Sequence, residues 1–132
     1  MGFKEIDHSA DLAMLVWGGD LESLFKDAAI GMYALMGIHS EPPLEITREI
    51  FAKSEDKESL LVIFLSELLF LLEQEGLAFA ILDLQIHTNE VKASLKGSSI
   101  SEPVKLIKAV TFHNLEIKRS AQDFMVEIVF DV

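Results

Sequence analysis

The stretch DFMVEIVFDV (Asp123–Val132) alternates Phe124, Val126, Ile128 and Phe130 with Met125, Glu127, Val129 and Asp131. Alternation with a period of two is the mark of a β-strand, and seven of the ten residues are apolar. Such a strand runs to the last residue and turns Asp131 away from the apolar set, next to the carboxylate of Val132. Chain ends ordinarily fray, so a strand that persists here needs a partner. The other end of the chain offers one in DHSADLAMLVW (Asp7–Trp17). There Leu12, Met14 and Val16 alternate with Ala13, Leu15 and Trp17, and both sets are apolar, as in a strand covered on both faces.

Between these ends the pattern changes period. Asp20 is a good helix N-cap; Leu21, Leu24, Phe25, Ala28, Met32, Leu35 and Met36 follow at helical spacing, and Gly37 stops the run. LEITREIFAKS (44–54) reads as a half-exposed strand. A second helix starts near Ser54 or Asp56 and ends at about Glu75, before Gly76; its wide apolar band predicts a central position. FAILDLQIH (79–87) and VKASLKG (91–97) predict a hairpin turning at Asn89-Glu90, with Leu82, Leu84 and Ile86 on the side of Val91, Ala93 and Leu95. KLIKAVTFHNLEIKRS (105–120) predicts one more strand, with a bulge or bend where the apolar phase slips between Phe112 and Leu115. It is joined to the final strand by a turn over Ser120 to Asp123. The order is β-β-α-β-α-β-β-β-β. It predicts an α+β fold: a single domain over residues 1–132, with an antiparallel or mixed β-sheet, strand pairs late in the chain, and two helices covering the sheet.

Composition narrows the function. A chain of 132 residues suits one domain with a full core. The absence of cysteine excludes disulfides, thiolate metal sites and thiol catalysis. No secretory signal opens the sequence, and LLVIFLSELLFLL (60–72) is shorter than the roughly 20 residues of a membrane helix. A cytoplasmic protein without membrane attachment is the expectation. The net charge of -11 opposes direct binding of nucleic acid and suits metal ions or basic proteins as partners, although solubility alone is the commoner reason for it. Nucleotide-binding glycine loops, serine-nucleophile motifs and HExxH are absent.

Few residues remain as candidates for chemistry. His8 and Asp11 in HSAD precede the first long strand, where a turn with a capping bond is the plainer reading. Lys108 sits in an apolar run, where a lysine ordinarily buries its stem and keeps its ammonium wet, but it could also meet an anionic ligand. Thr111 and His113 have the opposite strand parity, so a bend is needed for all three to face one site. Asp131 and the Val132 carboxylate form an anionic pair at the end of a strand, and with Asp11 nearby three carboxylates would share a small volume. Two charges about 4 Å apart cost about 4 kcal/mol at an effective dielectric near 20. A divalent cation removes that cost, and hard oxygen ligands suit calcium, magnesium or manganese.

Together HSADLAML (8–15), LESLFKDAAIGMYALM (21–36), DKESLLVIFLSELLF (56–70), KAVTFHNL (108–115) and VEIVFDV (126–132) resemble the archease family, in family order and over nearly the whole chain. Phe64 and Ser66 stand where that family usually carries Trp and Asn, and Glu102 where histidine is common. The resemblance implies an accessory protein, not an enzyme, that activates an RtcB-type RNA ligase in tRNA splicing and RNA repair by promoting guanylylation and multiple turnover. It implies a divalent cation, with calcium first and magnesium or manganese as alternatives, held by Asp11, Asp131 and the terminal carboxylate of Val132. Lys108 and His8 are expected as partner-contacting or ligand-orienting groups. The implied partner is the ligase itself, with RNA met only indirectly and no small-molecule substrate. A chaperone-like or methyltransferase-modulating protein is the alternative, and a free-standing metal hydrolase using His8, Asp11 and Asp131 a third.

Overall fold

The computed structural model describes residues 2–6, 12–38, 44–100, 103 and 105–132, apart from the side chain of Leu82. Strands β1 (Gly2–Ile6) and β2 (Leu12–Gly18) precede helix α1 (Leu21–Leu35). Strand β3 (Ile46–Lys53) leads to helix α2 (Lys57–Glu75), and the hairpin β4 (Leu77–His87) and β5 (Glu90–Ser99) follows. Two short strands, β6 (Ala109–Val110) and β7 (Lys118–Arg119), come before β8 (Phe124–Asp131). The α+β class is as expected, but the strands divide between two sheets and every pairing is antiparallel. One sheet has the order β1-β2-β8-β6, with β7 also on β8; the other has the order β3-β5-β4.

Both helices touch both sheets. Helix α1 lies on β1 and β2 and reaches β4, while α2 lies on β3, β4 and β5 and reaches β6. Their joint is the ring contact of Phe25 with Phe64, with centroids 5.8 Å apart. Leu60, Leu61, Phe64, Leu65 and Leu68 form the fully buried face of α2; buried Val62 and Leu69 widen it, and exposed Ile63 and Phe70 add apolar residues on the far side, so the helix is weakly amphipathic. Ser66 is exposed.

Three expectations need correction. The run 105–120 is not one strand. It breaks into β6 and β7 around a turn at His113-Asn114, where Asn114 adopts φ 54; both pieces run antiparallel to β8, so the slip in apolar phase marks the expected bend, but one wide enough to interrupt the strand. Asparagine tolerates that left-handed conformation better than most residues. The hairpin turns at Thr88-Asn89, not Asn89-Glu90, and Glu90 already pairs with His87. Finally, the β4–β5 register shifts between Ile81 and Asp83. Leu84 and Ile86 stand opposite Ala93 and Val91, but beyond the shift it is Ile81 and Phe79 that stand opposite Leu95 and Gly97. One extra residue in a strand inverts the side-chain parity that follows it.

The two helices begin alike, with Asp20-Leu21-Glu22-Ser23-Leu24 and Asp56-Lys57-Glu58-Ser59-Leu60. Each aspartate accepts the N–H of its serine, Ser23 or Ser59, at 2.7 Å. Each glutamate accepts a main-chain N–H from a distant segment: Ile86 to Glu22 at 3.3 Å and Ile117 to Glu58 at 2.8 Å. The same five-residue pattern thus caps a helix and fastens a remote strand or loop to its first turn. Asp20 is held below its ordinary carboxyl value of 3.8, chiefly by the Ser23 N–H and then by the Ser23 side chain. A lowered value means that the cap contributes in full above 3.8 and fades as pH falls through the lowered value. Asp20→Ala is therefore expected to lower stability by about 1 kcal/mol at neutral pH. The deficit should shrink in strong acid, and urea titrations at pH 7 and pH 3 are the measurement. A deficit independent of pH would refute the charge-dependent cap.

Candidate functional site

The end of β8 is built by its neighbours. β2 pairs with β8 so that Leu12 stands opposite Phe130, Met14 opposite Ile128 and Val16 opposite Val126. Those six side chains are all buried, which locks the register, because a one-residue slip would turn them out to solvent. On the other side β6 sets Ala109 opposite Asp131 and Val110 opposite Phe130. The Lys108 N–H donates to the Asp131 carbonyl at 2.7 Å, and the Thr111 N–H donates to the Val129 carbonyl at 3.0 Å. The strand is therefore held on both edges to its last turn of pleat, and fraying is suppressed.

Asp131 is exposed, turned away from the buried Phe130, and Val132 is 42% exposed. Among the described residues no cation pairs with the Asp131 carboxylate. The Asp131 carboxylate thus presents oxygen, the donor type a hard divalent cation prefers, from a strand paired on both edges. Among the described residues no three His, Asp or Glu side chains stand close enough together to hold a metal ion. The expected third ligand, Asp11, lies outside the described residues, as do His8 and Glu102.

Lys108 is tied to the tip by its main chain. It is exposed and is among the residues that line a cavity of about 430 Å³ whose walls include Met36, Leu69, Leu72, Ile100 and Ile107. Among the described residues its ammonium makes no ion pair. Thr111 is used structurally: its hydroxyl donates to the Val129 carbonyl at 2.9 Å and accepts the His113 N–H at 3.2 Å. His113 lies in the turn that interrupts the run between β6 and β7. The bend therefore exists, but Thr111 is occupied in making it. Sequence reasoning missed Glu58, which ties the segment after this bend to α2 through Ile117. The signal was available, because DKESL repeats the pattern DLESL of the first helix start.

No described helix is long and apolar enough to cross a membrane. The family model described as "Archease protein family (MTH1598/TM1083)" matches residues 3–132. Among relatives named protein archease, that of Methanosarcina barkeri is 32% identical, over 98% of this chain and 95% of its own. That of Methanothermobacter thermautotrophicus is 34% identical, over 88% of each. The solution structure of Methanobacterium thermoautotrophicum protein 1598 superposes with a TM-score of 0.79 at 29% identity, covering 99% of both chains. A Thermotoga maritima crystal structure, described as an archease and possible chaperone, has a TM-score of 0.68 at 23% identity; it covers 98% of this chain and 96% of its own.

Proposed function

Because the chain belongs to the archease protein family, we propose that it is a non-catalytic accessory protein that binds a divalent cation at the β8 tip and activates an RtcB-type RNA ligase. The observation that supports this most is the β2–β8 register. Leu12 opposite Phe130 brings the start of β2 and the end of β8 to one end of the sheet, with Asp11 the residue before Leu12 and Asp131 the residue after Phe130 in the sequence. Asp131, the terminal carboxylate of Val132 and Asp11 are the ligands of this reading, and calcium is the first choice among hard cations, ahead of magnesium or manganese. Calcium takes six to eight oxygens, so three carboxylate groups leave room for waters or for groups of a partner. The bound ion would supply a focused positive charge on an otherwise acidic protein of net charge -11.

The chain's own residues supply the frame. The Lys108 N–H pins the carbonyl of Asp131, and the buried Phe130 and Leu12 fix its direction. The excess of carboxylates speeds encounter with a basic protein surface and gives that encounter a strong salt dependence. On this reading the partner is a protein, RNA is met only through it, and no small molecule is turned over. The test is a single-turnover guanylylation assay with the cognate ligase. The intact protein is expected to accelerate guanylylation, whereas Asp131→Ala should not and should bind calcium at least tenfold more weakly in calorimetry, with an unchanged thermal midpoint because the side chain is exposed. Equal acceleration by the two proteins sinks the reading. A chaperone-like role is the second reading. The description of the Thermotoga relative as a possible chaperone and the exposed Phe70, Leu106 and Phe112 favour it. It predicts suppression of client aggregation that does not require Asp131.

A further inference from the structure

The three-stranded sheet ends on one side at β3, and no described strand pairs with its outer edge. The direction of its hydrogen-bonding groups follows from the ladder with β5. The Ser54 N–H donates to the Asn89 carbonyl at 3.0 Å, in the same register that sets Lys53 opposite Glu90 and Ala52 opposite Val91. Even-numbered residues of β3 therefore direct their amides and carbonyls to β5, and Thr47, Glu49, Phe51 and Lys53 direct theirs to the open edge. One of these carbonyls, that of Thr47, already accepts from Arg48 Nη1 at 3.1 Å. Glu49, Phe51 and Lys53 retain the open positions. Their side chains share the outer face of the sheet, where Phe51 is 68% exposed. A phenylalanine that exposed in mid-strand, on an unpaired edge, is the feature to explain.

We propose that β3 is a self-association edge, on which two copies of this chain pair antiparallel about a two-fold axis through Phe51 and join their sheets into one of six strands. In that register Phe51 meets its own counterpart, an aromatic cross-strand pair, and Glu49 meets Lys53 of the second copy, twice by symmetry. All three pairings use residues whose main-chain groups face the edge, which gives about six inter-copy hydrogen bonds. The neighbouring registers of the same parity are poorer: centring on Ile50 sets Glu49 against Phe51, and centring on Glu49 sets like charges together. The other edge of this sheet, β4, carries the register shift at Ile81 and Asp83, an irregularity that blocks edge pairing. The exposed contact of Lys53 with Glu90, 3.4 Å within one copy, leaves the ammonium donors for a second carboxylate.

An interface of one strand pair makes a weak, concentration-dependent dimer. Sedimentation equilibrium of the whole chain in 0.15 M salt, where the repulsion between two acidic copies is screened beyond about 8 Å, is the test. A monomer–dimer equilibrium is expected. Lys53→Glu and Glu49→Lys should each weaken the dimer about tenfold by creating two like-charge juxtapositions. The double reversal should recover it, and Phe51→Lys should abolish it. All three positions of the experiment are exposed, so thermal midpoints should stay near that of the parent and report intact folding. A monomer at every concentration overturns the proposal. So does a dimer indifferent to Phe51→Lys, or a double reversal no tighter than the single ones.

Discussion

Phe64→Ala is expected to lower the unfolding free energy by about 3–5 kcal/mol, the largest effect of any single side-chain truncation considered for this protein. Phe64 has no exposed surface and meets Phe25 at 5.8 Å between ring centroids, tilted by 37°. The contact joins α2 to α1, and each helix also carries one sheet while touching the other. Truncation removes the burial of the ring and leaves a void that rigid helices cannot close, because Leu60, Leu61, Leu65 and Leu68 beside it on α2 are already fully buried. Against a total stability of about 5–15 kcal/mol, such a loss should bring the thermal midpoint down by about 10–20 °C in a chain of this length. Differential scanning calorimetry reads it directly. Phe64→Leu, which keeps most of the volume, should recover more than half of the deficit. If the alanine variant melts within a few degrees of the parent, the helix joint is not the centre of the core.

The second large effect lies in the hairpin. Gly97 is buried and pairs with Phe79 on one side and Ile46 on the other. A methyl group at this position would collide with the carbonyl oxygen of Ala78 and stand 2.6 Å from Cδ1 of Phe79. The Phe79 ring lies where a side chain at 97 would otherwise go, and the obstructing atom at Ala78 is main chain, which cannot swing aside. Gly97→Ala is therefore expected to cost at least the 1–3 kcal/mol typical of overpacking. Gly19→Ala is the control: nothing lies within 4 Å of its added methyl, so a change within about 0.5 kcal/mol is expected. Chemical denaturation of the two variants separates a steric cause at position 97 from a general intolerance of glycine replacement. Equal midpoints for both would remove the close-approach explanation.

Much of the fold was legible because its signals are local. Asp20 and Asp56 ahead of apolar periodic runs, and Gly37 and Gly76 behind them, mark both helices by capping chemistry that acts within one turn. Gly76 has φ 68, a backbone that favours glycine, so its role as a stop could be read directly. The width of the apolar band on α2 correctly announced a central helix. The alternation in 123–132 announced β8 and the outward direction of Asp131, and the structure agrees on both. Where reading failed, the deciding contact was remote or the periodicity was broken by one residue. The 105–120 run resembles a strand in composition, yet it is interrupted by the turn at Asn114, and only its two ends, β6 and β7, pair with β8. The shift at Ile81 and Asp83 inverts a parity that alternation alone had carried through.

The residue types at the tip were visible from the start: an aspartate and a chain carboxylate at one end, a His-Ser-Ala-Asp run near the other. Their relation was not. That β2 and β8 are neighbours, and in the register that sets Leu12 against Phe130, comes from packing six buried side chains against α1 and the rest of the core. The same holds for Lys108, whose place in an apolar run could be read but whose main-chain bond to Asp131 and place in the lining of a cavity could not. Caps, stops and alternation are properties of neighbouring residues, and the linear order contains them. Strand partners more than a hundred positions apart are chosen by burial, which exists only once the whole chain has closed around its core.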